Sequence, residues 1–101
     1  MKQEIFAIYD SKAAQYWKPM FFDTKGIAIR SFMDSLKDTS NLITQHPEDF
    51  TLFHLGTFDT TTAKFDQLST PNSAGLATEF VSTTTQLSPV KPTALPEVER
   101  A

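Results

Sequence analysis

The chain has 101 residues, room for one domain of ordinary size and no more. Its net charge of −3 and pI near 5.2 argue against a dedicated phosphate-binding protein, which needs clustered Lys and Arg. The absence of cysteine removes both a disulfide framework and a thiolate metal site.

A core this small is thin, because short chains bury a smaller share of their surface. The sequence compensates with nine Phe, two Tyr and one Trp, most of them before residue 66, so the packed part is expected there. No segment approaches the ~20 apolar residues of a membrane span, and the N-terminus lacks the apolar core and cleavage site of a signal peptide. A protein that stays in the compartment where it is made is therefore expected. The charge is uneven. Residues 1–40 carry six basic groups (Lys2, Lys12, Lys18, Lys25, Arg30, Lys37) against five acids, whereas residues 41–80 carry only Lys64 against five. An anionic partner should meet the first half.

In chain order, residues 3–9 (QEIFAIY) are short, apolar and bounded by polar residues, which predicts a strand covered on both faces. Asp10, Ser11 and Lys12 begin a turn. Residues 15–22 (QYWKPMFF) predict a second strand. Pro19 cannot donate to a ladder, so that strand lies at an edge or is irregular. A helix follows, capped by Asp23 or Thr24. Ile29, Phe32, Met33 and Leu36 fall on its inner stripe, and Arg30 with Asp34 is spaced for an i,i+4 ion pair on the outer side. Turn formers end it at residues 38–41. Leu42 and Ile43 pack down before His46, which Pro47 pushes into extended geometry.

Residues 50–58 (FTLFHLGTF) form the strongest strand candidate. Regular alternation puts Phe50, Leu52, His54, Gly56 and Phe58 on one face, and Thr51, Phe53, Leu55 and Thr57 on the other. Residues 59–62 turn into a last short strand at 63–67. The chain therefore divides into a folded α+β domain at 1–68, a weakly structured docking segment at 69–81, and a Ser/Thr/Pro-rich tail at 82–101 predicted to be disordered.

Catalytic chemistry is hard to assemble from this sequence. Asp49 with Asp59, or Asp10 with Asp23, could pair as acid and base, but nothing in the sequence fixes either pair in a cleft. No Gly-rich phosphate loop or nucleophile motif occurs. His46, Glu48 and Asp49 lie close enough in sequence for a metal cluster, yet a loop bearing solvated acids is the plainer reading, and His54 reads as a packed strand residue. No catalytic residue, metal or cofactor is expected. One segment does fit a binding role. Tyr16 and Trp17 stand beside Lys12, Lys18, Lys25 and Arg30, matching in kind the aromatic platforms and basic side chains of single-strand binders. The competing reading sends the aromatics into the core while the lysine heads snorkel to water.

Taken together, IFAIYDSKAAQYWKPMFF, GIAIRSFMDSL and HPEDFTLFHLGTFD resemble the small nonstructural protein of gokushoviruses, single-stranded DNA bacteriophages of the microvirus group. The most specific stretch runs from His46 to Phe50, followed by Leu52-Phe53 and residues 56–59. The resemblance covers residues 4–68 and extends more weakly over 77–81. It implies a protein acting in the host cytoplasm, absent from the mature virion, with a part in viral single-stranded DNA synthesis. It supplies no catalytic residues.

The resulting expectation is an α+β fold, with a small antiparallel sheet of three to four strands and one packed amphipathic helix. The expected partners are single-stranded DNA, or the viral replication initiator or capsid proteins, with a homo-oligomer to raise avidity. The alternative is a protein-interaction regulator with no DNA contact. The residues placed at the DNA surface are Lys12, Tyr16, Trp17, Lys18, Lys25 and Arg30.

Overall fold

The computed structural model of the protein describes residues 1–81. The tail at 82–101, for which disorder was predicted, lies outside the described residues. The centre of the fold is β1 (Lys2–Asp10), whose residues 5–8 are all buried. One edge pairs antiparallel with β4 (Phe50–Asp59) along its whole length. The other edge pairs with β2 (Gln15–Tyr16) near its C-terminus and with β3 (Met20–Phe22) near its N-terminus. β5 (Phe65–Leu76) adds to the outer edge of β4. The sheet is antiparallel, with five strands rather than three or four.

The extra strand comes from Pro19. It breaks the predicted second strand in two, because proline lacks the N–H that a ladder needs. Around the break, Asp10 Oδ1 accepts from the N–H groups of Lys12 and Ala13, at 3.0 and 3.3 Å, and turns the chain. Trp17 N–H then donates to Ile8 O at 2.8 Å.

Helix α1 (Lys25–Ser35) is capped by Thr24, whose Oγ1 accepts from Ile27 N–H at 3.2 Å. Ala28, Phe32 and the C-cap residue Leu36 are its buried stripe, spaced four apart as a helix face requires. Asp34 pairs with Lys37 at 3.4 Å, and not with Arg30 as its spacing predicted. Asn41 links α1 to the short α2 (Leu42–Gln45): its Nδ2 donates to Ser35 O at 2.7 Å, and its Oδ1 accepts from Thr44 N–H at 2.9 Å. This tie holds Ile43 in the core while Leu42 stays exposed. A 3-10 turn, Pro47–Asp49, leads into β4. Both helices cover one face of the sheet, where Phe6, Ile8, Phe50 and Leu52 meet Ala28, Phe32, Leu36 and Ile43. Phe6, Phe50 and Leu52 are fully buried, each contributing about 1.5–3 kcal/mol relative to exposure.

Two departures from regular alternation shape the rest. Ile5 pairs with Gly56 and Phe6 with His54, so Leu55 is a surplus residue in β4. This bulge shifts the alternation by one, and Phe58 lies on the face of Phe53, not on that of Phe50 and Leu52 as predicted. In β5, residues 68–71 bulge opposite Leu55 before pairing resumes at Asn72. Pro71 sits there, where its missing N–H costs no ladder bond. The last strand therefore runs to Leu76 rather than stopping at residue 67. Its Ser, Thr and Asn content hid it, because an edge strand needs little apolar alternation. Residues 77–81 form a helical turn that buries Ala77 and lays Phe80 edge-on against Phe32, with centroids 5.7 Å apart.

Gly56 is required by the bulge. Its φ is +154°, and a Cβ there would overlap the Asp66 carbonyl oxygen. Gly56→Ala should therefore cost about 2–4 kcal/mol, from backbone strain and a clash with backbone that cannot yield. Gly26, inside α1, has no neighbour closer than Thr24 Oγ1 at 3.9 Å. Gly26→Ala should raise stability by about 0.5 kcal/mol. Urea unfolding of both variants checks the contrast.

The β4–β5 turn is closed by Asp59, whose Oδ1 accepts from Thr61 N–H at 2.9 Å. That bond holds its carboxyl below its ordinary value, against an opposing effect of burial and with help from the N-terminal ammonium. A depressed folded value means stability that is present above the unfolded value of 3.8 and lost as pH falls through the folded one. Unfolding measured from pH 6 to 2 should accordingly show a shallower acid loss for Asp59→Asn than for the parent chain.

Candidate nucleic-acid interface

Pairing register decides which side chains reach the face that the helices leave open, since residues directly opposite share a side. Along β1, Ile5, Ala7 and Tyr9 point away from the core side of Phe6 and Ile8. Tyr16 lies opposite Tyr9, and Phe53 opposite Ala7. Phe21 lies opposite Ile5, Phe58 opposite Gln3, and Phe65 opposite Phe58. Six aromatic rings thus stand on one face. Among the described residues no helix packs over it.

The rings form two groups. Tyr16 lies 4.8 Å from Tyr9 and 5.7 Å from Phe53, between centroids. Phe58 lies 5.6 Å from Phe21 and 4.8 Å from Phe65. These rings shelter Ile5 and Ala7, which are 7% and 1% exposed. Tyr16, Phe21 and Phe65 remain open at 46%, 41% and 65%. The other strand positions of this face, Gln3, Thr51, Gln67 and Ser73, are uncharged. The paired positions of the face are therefore aromatic or uncharged, and the Asp23 carboxylate borders it, accepting from Gln3 Nε2 at 3.3 Å.

The six residues placed at a DNA surface from sequence do not share one surface. Tyr16 is on the open face. Trp17, its neighbour, turns to the helix side, where its ring, still 40% exposed, packs 5.3 Å from Phe50 and borders an apolar cavity of about 320 Å³ with Met20, Phe22 and Phe32. Lys18 is exposed in the link between β2 and β3. Lys12 borders a polar recess at the end of β1 with Asp10, Glu48 and Asp49. Lys25 opens α1, and Arg30 is exposed on its outer side, two residues from buried Ala28 and Phe32. Lys64, which precedes Phe65, lines a recess with Lys2, Thr57, Asp59 and Asp66.

The sequence pattern of the family described as Phage ORF5 protein matches residues 3–81. The chain belongs to this family. It is 35% identical over 77 residues to Protein ORF5 of Chlamydia phage 1, an overlap of 72% of this chain and 76% of that protein. No solved structure matches. The gokushovirus resemblance read from residues 4–68 holds, and the family match carries on through β5 and the turn at 77–81. The matched span contains both ring groups and the whole described core.

Sequence reasoning missed Tyr9, Phe53, Phe58 and Phe65 as surface residues of this family member. Tyr9 and Phe53 were within reach, since each falls on the non-core phase of its strand. Phe58 was not, because its side depends on the bulge. His54 is a packed strand residue: its ring lies 4.8 Å from Phe6, and its Nε2 is 2.8 Å from Glu4 Oε1. His46, Glu48 and Asp49 do gather, with one ligand atom from each within 4.8 Å of the others. They stand on the rim of the 3-10 turn, where carboxylates are readily solvated. No helix among the described residues is long and apolar enough to cross a membrane.

Aromatics on opposite faces should respond differently to removal. Trp17→Ala exposes Phe50 and enlarges the cavity, and should cost about 1–3 kcal/mol in urea unfolding. Phe65→Ala removes a ring already in water and should stay within about 0.5–1 kcal/mol of the parent.

Proposed function

We propose that this protein is an accessory factor in viral single-stranded DNA synthesis and that it binds the single strand on its open sheet face. The observation that carries this reading is the set of exposed rings, Tyr16, Phe21 and Phe65, on a face over which no described helix packs, with Lys18 exposed in the β2–β3 link and Lys64 next to Phe65 in sequence. Stacking of a base on an aromatic ring is worth about 1–3 kcal/mol and needs no clustered charge. An acidic protein can hold a single strand in this way, while a paired duplex keeps its bases stacked and out of reach. The lysines add a phosphate term, and Lys25 and Arg30, on the helix side, act only through the long-range field. Binding rather than catalysis, in the host cytoplasm and outside the virion, is part of the same reading.

A protein partner, such as the replication initiator or an assembling shell, is the second reading. It is favoured by the lack of charge at the paired positions of the face, since exposed apolar patches commonly mark protein contacts.

Fluorescence anisotropy with labelled single- and double-stranded oligonucleotides, at low and then rising salt, separates the two. The single strand should bind more tightly than the duplex. Phe21→Ala and Phe65→Ala should each weaken it by about thirtyfold, the middle of the stacking range. Lys18→Glu should weaken binding at low salt, with the loss shrinking as salt rises. Equal affinity for duplex, or indifference to both ring substitutions, would sink the DNA reading and favour a protein partner.

A further inference from the structure

We propose that the apolar cavity on the helix side is a docking site for this chain's own C-terminal tail, and that it receives Leu87-Ser88-Pro89-Val90 with Leu87 and Val90 directed inward. The site lies on the opposite side of the sheet from the proposed DNA contact and is independent of it. The cavity, about 320 Å³, is walled by Trp17, Met20, Phe22, Phe32, Ile43 and Leu52. It is roughly twice the size of an apolar cavity of ~150 Å³ that admits benzene. No charged residue lines it. Two of its polar members are already engaged: Ser35 Oγ donates to Phe32 O at 2.6 Å, and Asn41 bonds to Ser35 O and Thr44 N–H. Such walls suit an uncharged aliphatic guest, and unfilled they forgo the dispersion contacts that a guest would supply. Exposed Trp17 and Ser31 mark the mouth, so a guest can enter from solvent.

The fold delivers the tail to this place. The turn at 77–81 lays Phe80 against Phe32, and Val81 packs on the same core cluster. Phe32 is also a wall of the cavity, so the tail departs beside it. The six residues from Val81 to Leu87 span up to about 20 Å, ample against the ~5 Å of one turn of α1. Residues 82–90 carry no charge, and Lys91 is the first ion of the tail. The segment can therefore enter without burying a charge. Pro89 and Pro92 favour polyproline II geometry, whose three residues per turn put Leu87 and Val90 on one ridge. Proline-rich segments in this geometry dock on aromatic-lined grooves, here offered by Trp17, Phe22 and Phe32. A tail that cannot bury enough apolar area by itself finds the missing wall in the cavity. The tether also holds it at about millimolar effective concentration, which favours it over an unlinked peptide.

The experiment reads Trp17, the sole tryptophan, by acrylamide quenching and emission wavelength on the full chain. The parent is compared with Leu87→Asp/Val90→Asp and with a control pair, Leu95→Asp/Val98→Asp, which adds the same charge beyond the docking segment. Far-UV circular dichroism checks that all three are folded. The first pair should raise the quenching constant about twofold, in proportion to the ring surface uncovered, and shift emission to longer wavelength. The control pair should match the parent. Equal quenching in all three chains would overturn the docking. An equal rise in both variants would also overturn it, because the readout would then follow charge on the tail and not a seated segment. A difference between parent and first pair that grows with protein concentration would place the tail in the cavity of a second copy and overturn the intramolecular assignment.

Discussion

Pairing β1 with β4 in an unbroken ladder would place Phe50, Leu52, His54 and Phe58 on one side, because side chains two apart in a strand share a face. The surplus residue Leu55 changes that partition. Before it, β4 sends Phe50 and Leu52 beneath the helices; after it, Phe58 goes to the open face beside Phe21 and Phe65. The bulge needs a partner strand that yields, and β5 yields by a register shift at residues 68–71 within the continuous strand. It also needs a glycine, because the backbone at position 56 approaches the Asp66 carbonyl too closely for a Cβ. One inserted residue, one glycine and one wide bulge in β5 thus sort the aromatic side chains between core and surface.

The sorting matters because the described chain has only one helical layer to spend. α1, α2 and the turn at 77–81 all lie on the side of Phe6, Ile8, Phe50 and Leu52. The opposite side of β1 would otherwise expose Ile5 and Ala7. Rings from the neighbouring strands cover these two, and in doing so the rings themselves become the surface. An aromatic open face is thus a consequence of building a small α+β domain around a central strand that is apolar on both sides. What is particular here is that the uncovered rings gather at two places and that no paired position among them is charged.

Much of the fold was legible in the sequence because its signals are local. Thr24 ahead of an apolar stripe marks α1, the run at 50–58 marks β4, and Asp10 marks the first turn. What stayed hidden depends on register. Nothing in FTLFHLGTF shows that Leu55 is surplus, since the bulge is defined only against β1. β5 was cut short because its far half is an edge strand of polar residues, and Pro71 reads as a breaker until the bulge around it is seen. The candidate site suffered most. Tyr16 and Trp17 are neighbours in sequence and were read as one patch, yet adjacent residues in an extended chain point to opposite sides. Lys25 and Arg30 were close to them in sequence but ride on the helix that covers the other face.

The acidic balance of the chain has a place in the same geometry. Asp10, Glu48 and Asp49 collect at the end of the sheet where β1 meets β2, and Asp59 and Asp66 lie at the other end, near Lys2 and Lys64. The open face between these ends carries no carboxylate at any paired position, and Asp23, which accepts from Gln3 Nε2, stands at its edge. Charge of this kind shortens the reach of long-range attraction without opposing contact itself, because exposed charges beyond about 10 Å are largely screened at ordinary salt. A surface that repels weakly at a distance and stacks at contact discriminates for unpaired bases over duplex, since only unpaired bases present a free face to the rings. Net charge alone would have argued for the protein partner. The proposed single-strand reading relies instead on the placement of that charge, at the ends of the sheet rather than at the paired positions of the open face.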